Sequence, residues 1–158
     1  MIIFLDSNVL GLLCNVNGFS EGVDCRRWFN HSYNRGASFF TSDICVYEVR
    51  RGLLKASIGL DQPVPGLSAL NDVRTEGFLE FSIVSTEVLD LAAEIWAEAA
   101  ADGRTTRDDK NIDVDIIISA HYQVLVDTYP GQKVIVATKN LKHIARFCEG
   151  ANWRDIKL

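Results

Sequence analysis

The sequence lacks the features that mark several large classes of protein. Its 16 Lys and Arg residues against 21 Asp and Glu give a net charge of −5, so it has no surplus of cations for coating nucleic acid. No apolar run approaches the roughly 20 residues that a membrane span needs, and no secretory signal pattern opens the chain. We therefore expect a cytoplasmic protein with no membrane association.

Motifs with a fixed spacing are also scarce. The four cysteines show no C-x-x-C spacing, which argues against a zinc site or a disulfide framework and predicts buried, reduced thiols. No Walker A, G-x-G-x-x-G or G-x-S-x-G motif is present, so nucleotide-binding and serine-hydrolase functions have no support. What the chain does have is 47% hydrophobic residues among 158, enough for one domain over residues 1–158 with a sizeable core.

Short β-branched runs alternate with helical patterns along the chain. Strands are predicted at Met1–Leu5, Ala37–Phe40, Phe78–Val84 and Lys133–Ala137, with a terminal strand or tail around Trp153 and Ile156. Helices are predicted after Asp6–Asn8 and over Ser20–Tyr33, Ile44–Ile58, Leu67–Arg74, Thr86–Ala101, Ile112–Val126 and Leu141–Phe147, and Asp102–Asn111 is predicted to be a polar surface loop. This alternation predicts a three-layer α/β domain with a central, mostly parallel sheet flanked by helices.

Asp6 is the first candidate for a functional carboxylate. It directly follows the first predicted strand, and ligands of open α/β sheets bind at the carboxyl ends of the strands. A turn or helix-capping role is the alternative. Glu48 is the second candidate, because helical spacing turns it toward apolar neighbours; an ordinary ion pair with Arg51 is the alternative there.

Asp113 and Asp115 stand at the start of the most apolar predicted helix. The helix dipole favours acids at that position, which is one explanation for both. Residues two apart point to nearly opposite sides of a helix, so we favour Asp115 as the primary functional acid and Asp113 as support. Together with Asp6 and Glu48, Asp115 could hold a hard divalent cation such as Mg²⁺, since such ions need few protein carboxylates. Without the cation these carboxylates would repel one another.

Four segments in order resemble those of the PIN-domain nucleases, in particular the VapC-type toxins of toxin-antitoxin pairs. They are MIIFLDSNVL, FFTSDICVYEVRRGL, IDVDIIISAHYQVL and VIVATKNLKHIARF, with a trailing tryptophan. The resemblance implies a PIN-like fold and a metal-dependent endoribonuclease in which Asp6, Glu48 and Asp115 bind Mg²⁺ or Mn²⁺. It also implies an RNA substrate, a homodimer and a small antitoxin whose arginine can enter the acidic cleft.

The chain departs from the family after the last strand. Members often carry another acid there, in a Thr-x-Asp or Thr-x-Asn motif, and this chain has Thr138, Lys139 and Asn140. Asn140 brings no charge, so the number of metal ions stays open, and Asp113 could compensate. Ser7 and Thr138 could orient water or a carboxylate, or simply cap helices.

Two basic clusters border the expected cleft. Phosphate contact is one interpretation and an ordinary solvated surface is the other. The residues concerned are Arg50, Arg51 and Lys55 in one cluster and Arg104, Arg107 and Lys110 in the other.

Two further functions stay open at this stage. Asn140 and the missing positive charge are compatible with a catalytically weak PIN-fold module that binds RNA or protein. A haloacid-dehalogenase-like phosphatase would use Asp6 as a phosphoryl-accepting nucleophile, but it would need a second Asp at position 8, where this chain has Asn8.

Overall fold

The structure of the chain is a computed structural model. It describes residues 1–15, 20–62, 64–102 and 112–158, with the side chains of residues 112 and 113 outside the description. The predicted loop over residues 102–111, with Arg104, Arg107 and Lys110, therefore lies outside the described residues beyond its first position.

Five parallel strands form the centre of the described structure. They are β1 (Ile2–Leu5), β2 (Ser38–Ser42), β3 (Glu80–Ser82), β4 (Val134–Thr138) and β5 (Gly150–Asn152). The strand order is β3-β2-β1-β4-β5, and all four strand pairs are parallel. The chain therefore builds outward from β1 in one direction and then in the other, which places a topological switch point between β1 and its neighbour β4.

Helices flank this sheet. They are α1 (Ser7–Leu13), α2 (Ser20–Asn34), α3 (Asp43–Ala56), α4 (Gly66–Thr75), α5 (Thr86–Ala101), α6 (Ile112–Thr128) and α7 (Leu141–Ile144), followed by a 3-10 turn at Trp153–Asp155. Helix α5 begins at its predicted residue because the Ser85 hydroxyl accepts a hydrogen bond from the Val88 amide at 3.3 Å, an N-terminal cap.

The burial of β1 and β4 matches their central positions in the sheet. Every residue of both strands is buried, as expected for central parallel strands covered on both faces. Phe4 is inaccessible to solvent and stacks on the ring of His121 from α6, with 5.8 Å between ring centroids. A smaller apolar cluster of Val88, Ala92, Ile116 and Ala120 joins α5 to α6.

The predicted α/β architecture is confirmed, and the differences are local. Helix α7 ends at Ile144 instead of Phe147, and the next residues lead into β5 at Gly150–Asn152, which the sequence does not predict as a strand. The glycine in this strand is close to α7, since a Cβ at Gly150 would meet Ile144 Cγ2 at 2.8 Å. The terminal Trp153 begins a 3-10 turn where the sequence predicts a strand or tail.

Two findings bear on the excluded protein classes. None of the four cysteines forms a disulfide, and Cys14, Cys25 and Cys45 are buried. In the part of the chain that the structure describes, no helix combines the length and the apolar character that a membrane crossing requires.

Candidate metal centre at the carboxyl edge of the sheet

Asp6 and Thr138 meet at the switch point between the two central strands. Asp6 directly follows β1 and Thr138 ends β4, so the parallel pairing of these strands brings together residues that are 132 positions apart. The Thr138 hydroxyl is buried and donates a hydrogen bond to Asp6 Oδ2 at 2.6 Å. The crevice expected for a parallel α/β sheet therefore opens at this pair.

The Asp6 carboxylate is buried and accepts hydrogen bonds on both of its oxygens. Its exposed fraction is 3%, and a carboxylate at that depth needs polar partners. The Asn8 amide donates to Oδ2 at 2.6 Å, and the Ser7 hydroxyl donates to Oδ1 at 3.0 Å. Neither Asp6 nor Ser7 caps a helix through its side chain: α1 begins with no side-chain cap. The donors hold Asp6 in one orientation at the end of the strand.

Thr138 and Asn8 in turn are held by the backbone that follows β4. The Thr138 hydroxyl oxygen accepts from the Asn140 amide nitrogen at 2.8 Å, and the Asn8 side-chain oxygen accepts from the Lys139 amide nitrogen at 2.8 Å. Thr138 thus has both a donor and an acceptor role. The Asn140 side chain makes no capping hydrogen bond to α7.

Asp115 on α6 is electrostatically linked to the other two acids. Burial, then the Asp6 charge, and to a smaller extent the Glu48 charge raise the pKa of Asp115 to about 6, although nearby His143 opposes this. His143 Nδ1 lies 3.3 Å from Asp115 Oδ2, and the Asp115 side chain is 14% exposed. The charges of Asp6 and Glu48, from two other segments, therefore both act on Asp115 at this edge of the sheet.

Glu48 lies on α3, near the same carboxyl edge of the sheet. Its Oε1 is 3.7 Å from Arg51 Nη2, the i, i+3 ion pair that is the alternative explanation for this acid. Glu48 also lines a groove of about 390 Å³ between α1 and α3. The groove is lined by Ser7, Asn8, Gly11, Glu48, Val49, Arg51, Gly52 and Leu53. Glu48 therefore belongs both to an ion pair and to the wall of this groove, which Ser7 and Asn8, the neighbours of Asp6, also line.

The donor set has the chemistry that a hard divalent cation prefers, since it consists of carboxylate and amide oxygens. Among the described residues, however, no three His, Cys, Asp or Glu side chains converge on one point. Glu48 is paired with Arg51, and Asp115 is paired with His143. A cation held by all three acids would have to draw Glu48 and Asp115 away from these basic partners.

The remaining predicted residues are spread over different places. Arg50 Nη2 donates to Asn71 Oδ1 on α4 at 2.8 Å, so it points away from the acids, and Lys55 is exposed near the end of α3. Asp113 lies on α6, but its side chain is outside the described residues. Of the α3 cations, Arg51 alone among the described contacts pairs with one of the three acids.

Sequence reasoning misses two residues that contact these acids. From the sequence alone, Asn8 is only a possible helix cap and a departure from a phosphatase motif. In the structure its side chain donates to Asp6 and accepts from the Lys139 amide nitrogen. His143 fits an ordinary core or surface position, yet it pairs with Asp115. The position of Asn8, two residues after Asp6, is a usable signal for Asn8, whereas the contact of His143 depends on how α7 packs beside α6.

Comparison with known proteins identifies structural neighbours over nearly the full chain. VapBC-1 from nontypeable Haemophilus influenzae matches with a TM-score of 0.63 at 16% identity, over 98% of this chain and 100% of the matched one. VapBC2 from Rickettsia felis, solved with a DNA fragment from its promoter, matches with a TM-score of 0.64 at 18% identity, over 97% and 99%.

A third neighbour is a toxin by its description. VapC20 from Mycobacterium tuberculosis, a sarcin-ricin-loop-cleaving toxin, matches with a TM-score of 0.59 at 15% identity, over 93% of this chain and 97% of the matched one. No protein-family model and no curated protein matches the chain. The predicted resemblance is confirmed at the level of the fold: this chain has the PIN-like α/β fold of the VapC-type toxins.

Proposed function

We propose that this protein is a metal-dependent endoribonuclease that acts as the toxin of a type II toxin-antitoxin pair. The observation that carries the proposal is the buried Asp6 carboxylate, which Thr138, Asn8 and Ser7 hold by hydrogen bonds at the carboxyl end of the central strand β1. The charges of Asp6 and Glu48, after burial, raise the pKa of Asp115 to about 6, and acids that act on one another at the ligand-binding edge of a parallel sheet are a further reason to expect a functional role.

Asp6, Glu48 and Asp115 would hold Mg²⁺ or Mn²⁺ through their carboxylate oxygens, with Asp113 as a further candidate. When bound, the metal supplies an activated water for attack on a phosphodiester and offsets the negative charge of the RNA. Thr138, Asn8 and Ser7 orient Asp6, because each donates a hydrogen bond to its carboxylate. Such supporting hydrogen bonds keep a metal ligand in its productive orientation.

His143 contacts the Asp115 carboxylate, and Arg51 pairs with Glu48. If these carboxylates held a cation, both side chains would be free to contact RNA phosphates beside the site. Arg50, Lys55, Arg104, Arg107 and Lys110 are proposed as further phosphate contacts, and Asn140 as a neutral ligand or hydrogen-bond donor.

The partners follow from the proposed toxin role. The neighbouring VapBC structures are named for toxin and antitoxin together, and we propose that this chain likewise has a small antitoxin as partner and forms a homodimer. Because cellular RNA is the proposed substrate, the protein would act in the cytoplasm.

A catalytically weak PIN-fold module that binds RNA or protein is the second candidate. One observation favours it: within the described residues no three potential ligands already converge, and the residue after Lys139 is a neutral asparagine. This candidate predicts metal or RNA binding without cleavage, which the same experiment can detect.

The test is cleavage of RNA by purified protein free of antitoxin. The substrates are a pool of structured and unstructured RNA together with a sarcin-ricin-loop RNA, incubated with Mg²⁺, Mn²⁺ or EDTA. We expect cleavage that requires the metal and is lost in Asp6→Asn. Asp127→Asn is the matched control, since Asp127 is exposed on the same helix as Asp115 but about 18 Å further along its axis.

The outcomes separate the two candidates. Metal-dependent cleavage that persists in Asp127→Asn but not in Asp6→Asn supports the nuclease. Thermal stabilisation by Mn²⁺ without any cleavage would contradict it and favour the binding module. Cleavage that is equally strong in EDTA would contradict the role of the acids.

A further inference from the structure

A second group of charged side chains lies at the same edge of the sheet as Asp6. Glu21, at the start of α2, contacts two cations at once: Lys139 Nζ is 2.9 Å from Oε2, and Arg154 Nη1 is 3.0 Å from Oε1. The hydrogen bonds from Lys139 and Arg154 lower the pKa of Glu21. We call Glu21, Lys139 and Arg154 the Glu21 cluster; the sequence alone singles out none of its members.

Both cations are placed by the strands that form the crevice. Lys139 follows Thr138 at the end of β4, and its amide nitrogen donates to Asn8, which itself binds Asp6. Arg154 lies two residues after the end of β5, and β5 pairs with β4 through Asn152 and Thr138. Lys139 therefore lies one strand away from Asp6 along the sheet edge, and Arg154 lies two strands away.

The Arg154 side chain also contacts the Trp153 ring. Its guanidinium carbon lies 4.3 Å from the centre of the Trp153 ring, and the Trp153 side chain is buried. The amide nitrogen of Arg154 donates to Asn152 Oδ1 at 3.1 Å. Such contacts reduce the freedom of the arginine, so little ordering is required when a ligand replaces Glu21.

The chemistry of Glu21 resembles that of a bound phosphodiester. Each of its two carboxylate oxygens contacts a different cation, and a phosphodiester also presents two non-bridging oxygens with one negative charge. The side chains of Lys139, Arg154 and Glu21 are 41%, 47% and 33% exposed, so a ligand can reach them. Ion pairs at such exposure contribute little to stability, and a competing anion can displace them.

We propose that Lys139 and Arg154 together bind a phosphate of the RNA strand beside the cleavage site, and that Glu21 competes with this phosphate for both cations. The proposal rests on the proposed function, in which RNA is the substrate. It adds a phosphate-binding position on the β5 side of the crevice, whereas the cations expected from the sequence lie on α3 and in the segment before α6.

The test measures binding of a fluorescently labelled single-stranded RNA in EDTA, so that cleavage does not interfere. Glu21→Gln leaves both cations without their competitor, and we expect RNA affinity to rise about threefold or more at physiological salt. Lys139→Ala combined with Arg154→Ala should lower the affinity. It should also make the salt dependence shallower, by about 0.7 in the log–log slope for each phosphate that the variant no longer neutralises.

Glu149→Gln is the matched control for charge. Glu149 Oε1 pairs with Lys133 Nζ at 3.1 Å, and Lys133 precedes β4 at the opposite end of that strand from Lys139. The substitution changes net charge by the same amount and likewise leaves one lysine unpaired. We expect it to alter RNA affinity by less than about twofold, because a distant charge is screened at physiological salt.

A purely structural role for the Glu21 cluster predicts a different pattern. Both Glu21→Gln and the double Ala variant break the link between α2 and the sheet edge, so a structural role moves RNA affinity in the same direction in both. If the cluster is a phosphate site, Glu21→Gln raises RNA affinity and the double Ala variant lowers it. Thermal unfolding of each variant confirms that the folded protein is being compared.

The outcomes also separate this proposal from the proposed function. Equal affinities of Glu21→Gln and Glu149→Gln, in a protein that still cleaves RNA with metal, overturn the phosphate site alone. Opposite shifts in the two cluster variants without cleavage under any metal support the phosphate site and contradict the nuclease. Absence of RNA binding in the wild type and in Glu21→Gln overturns the phosphate site, and it overturns both proposals when no metal supports cleavage either.

Discussion

Replacing Asp115 by Asn should stabilise the metal-free protein at neutral pH. Burial and the neighbouring acids raise the pKa of Asp115 to about 6 from its ordinary 3.8, so the folded state holds the proton more tightly than the unfolded chain does. Stability that the protonated acid provides below pH 4 is therefore lost as the pH rises through 6. Asparagine carries no charge at any pH and avoids this loss.

The magnitude follows from the shift. About two pKa units correspond to about 3 kcal/mol, and the partial solvent access of this side chain reduces that to about 1.5 kcal/mol. For a chain of this size the gain corresponds to about 3 to 6 °C in Tm. The variant also lacks the ion pair between Asp115 and His143, which works against the gain, so the decisive quantity is how the difference changes with pH.

Thermal unfolding in EDTA between pH 4 and pH 8 measures this difference. The stability of Asp115→Asn relative to wild type should be small at pH 4, rise through pH 6 and level off above pH 7. Asp127→Asn, an exposed acid on the same helix, should show no such rise. A difference that stays flat across this range would refute the electrostatic account of the acidic cluster.

Divalent metal should reverse the order of stability. A ligand that binds only the folded state stabilises it by about 2.7 kcal/mol when present at a hundred times its Kd. Mg²⁺ or Mn²⁺ should therefore raise the Tm of the wild type, and raise that of Asp115→Asn much less. Equal metal-induced shifts in both proteins would argue against Asp115 as a ligand.

Three further substitutions test other parts of the structure. Burial lowers the pKa of His121 to about 4, and its Nε2 has no hydrogen-bond partner among the described residues. Acid should therefore cost the wild type up to about 3 kcal/mol between pH 6.5 and pH 4, and His121→Leu should remove this loss in urea unfolding. Thr138→Val removes the donor to Asp6 and should reduce cleavage about 10- to 100-fold, whereas Thr138→Ser should retain most activity. Gly150→Ala places a Cβ 2.8 Å from Ile144 Cγ2 and should destabilise the fold by about 1 to 3 kcal/mol in the same urea assay; an unchanged midpoint would contradict this.

The elements with strong local signals can be predicted from the sequence. Helix α5 runs over Thr86–Ala101 as predicted, because a serine cap precedes a long run of good helix formers. Strand β1 is recognisable from its continuous β-branched and aromatic run. Strand β5 cannot be found this way, since Gly150–Asn152 has almost no β propensity and is a strand because β4 offers it a parallel edge.

The residues of the candidate site likewise fall into those that the sequence predicts and those that it does not. Asp6 can be chosen because its place after a buried strand is a local feature of the sequence. The contacts of Asn8 with Lys139 and of Asp115 with His143 join segments whose distance apart depends on the complete fold. The Glu21 cluster is a clearer case, since Glu21 meets its two cations across 118 and 133 positions of the chain.

The pairing of β1 with β4 has a consequence for biosynthesis. Asp6 is made before Thr138, which follows 132 positions later. Contacts with so large a sequence separation form only after both segments are available. A nascent chain that ends before Thr138 therefore lacks the buried hydroxyl that donates to Asp6 Oδ2, and we expect the orientation of Asp6 to be completed only when β4 has paired with β1.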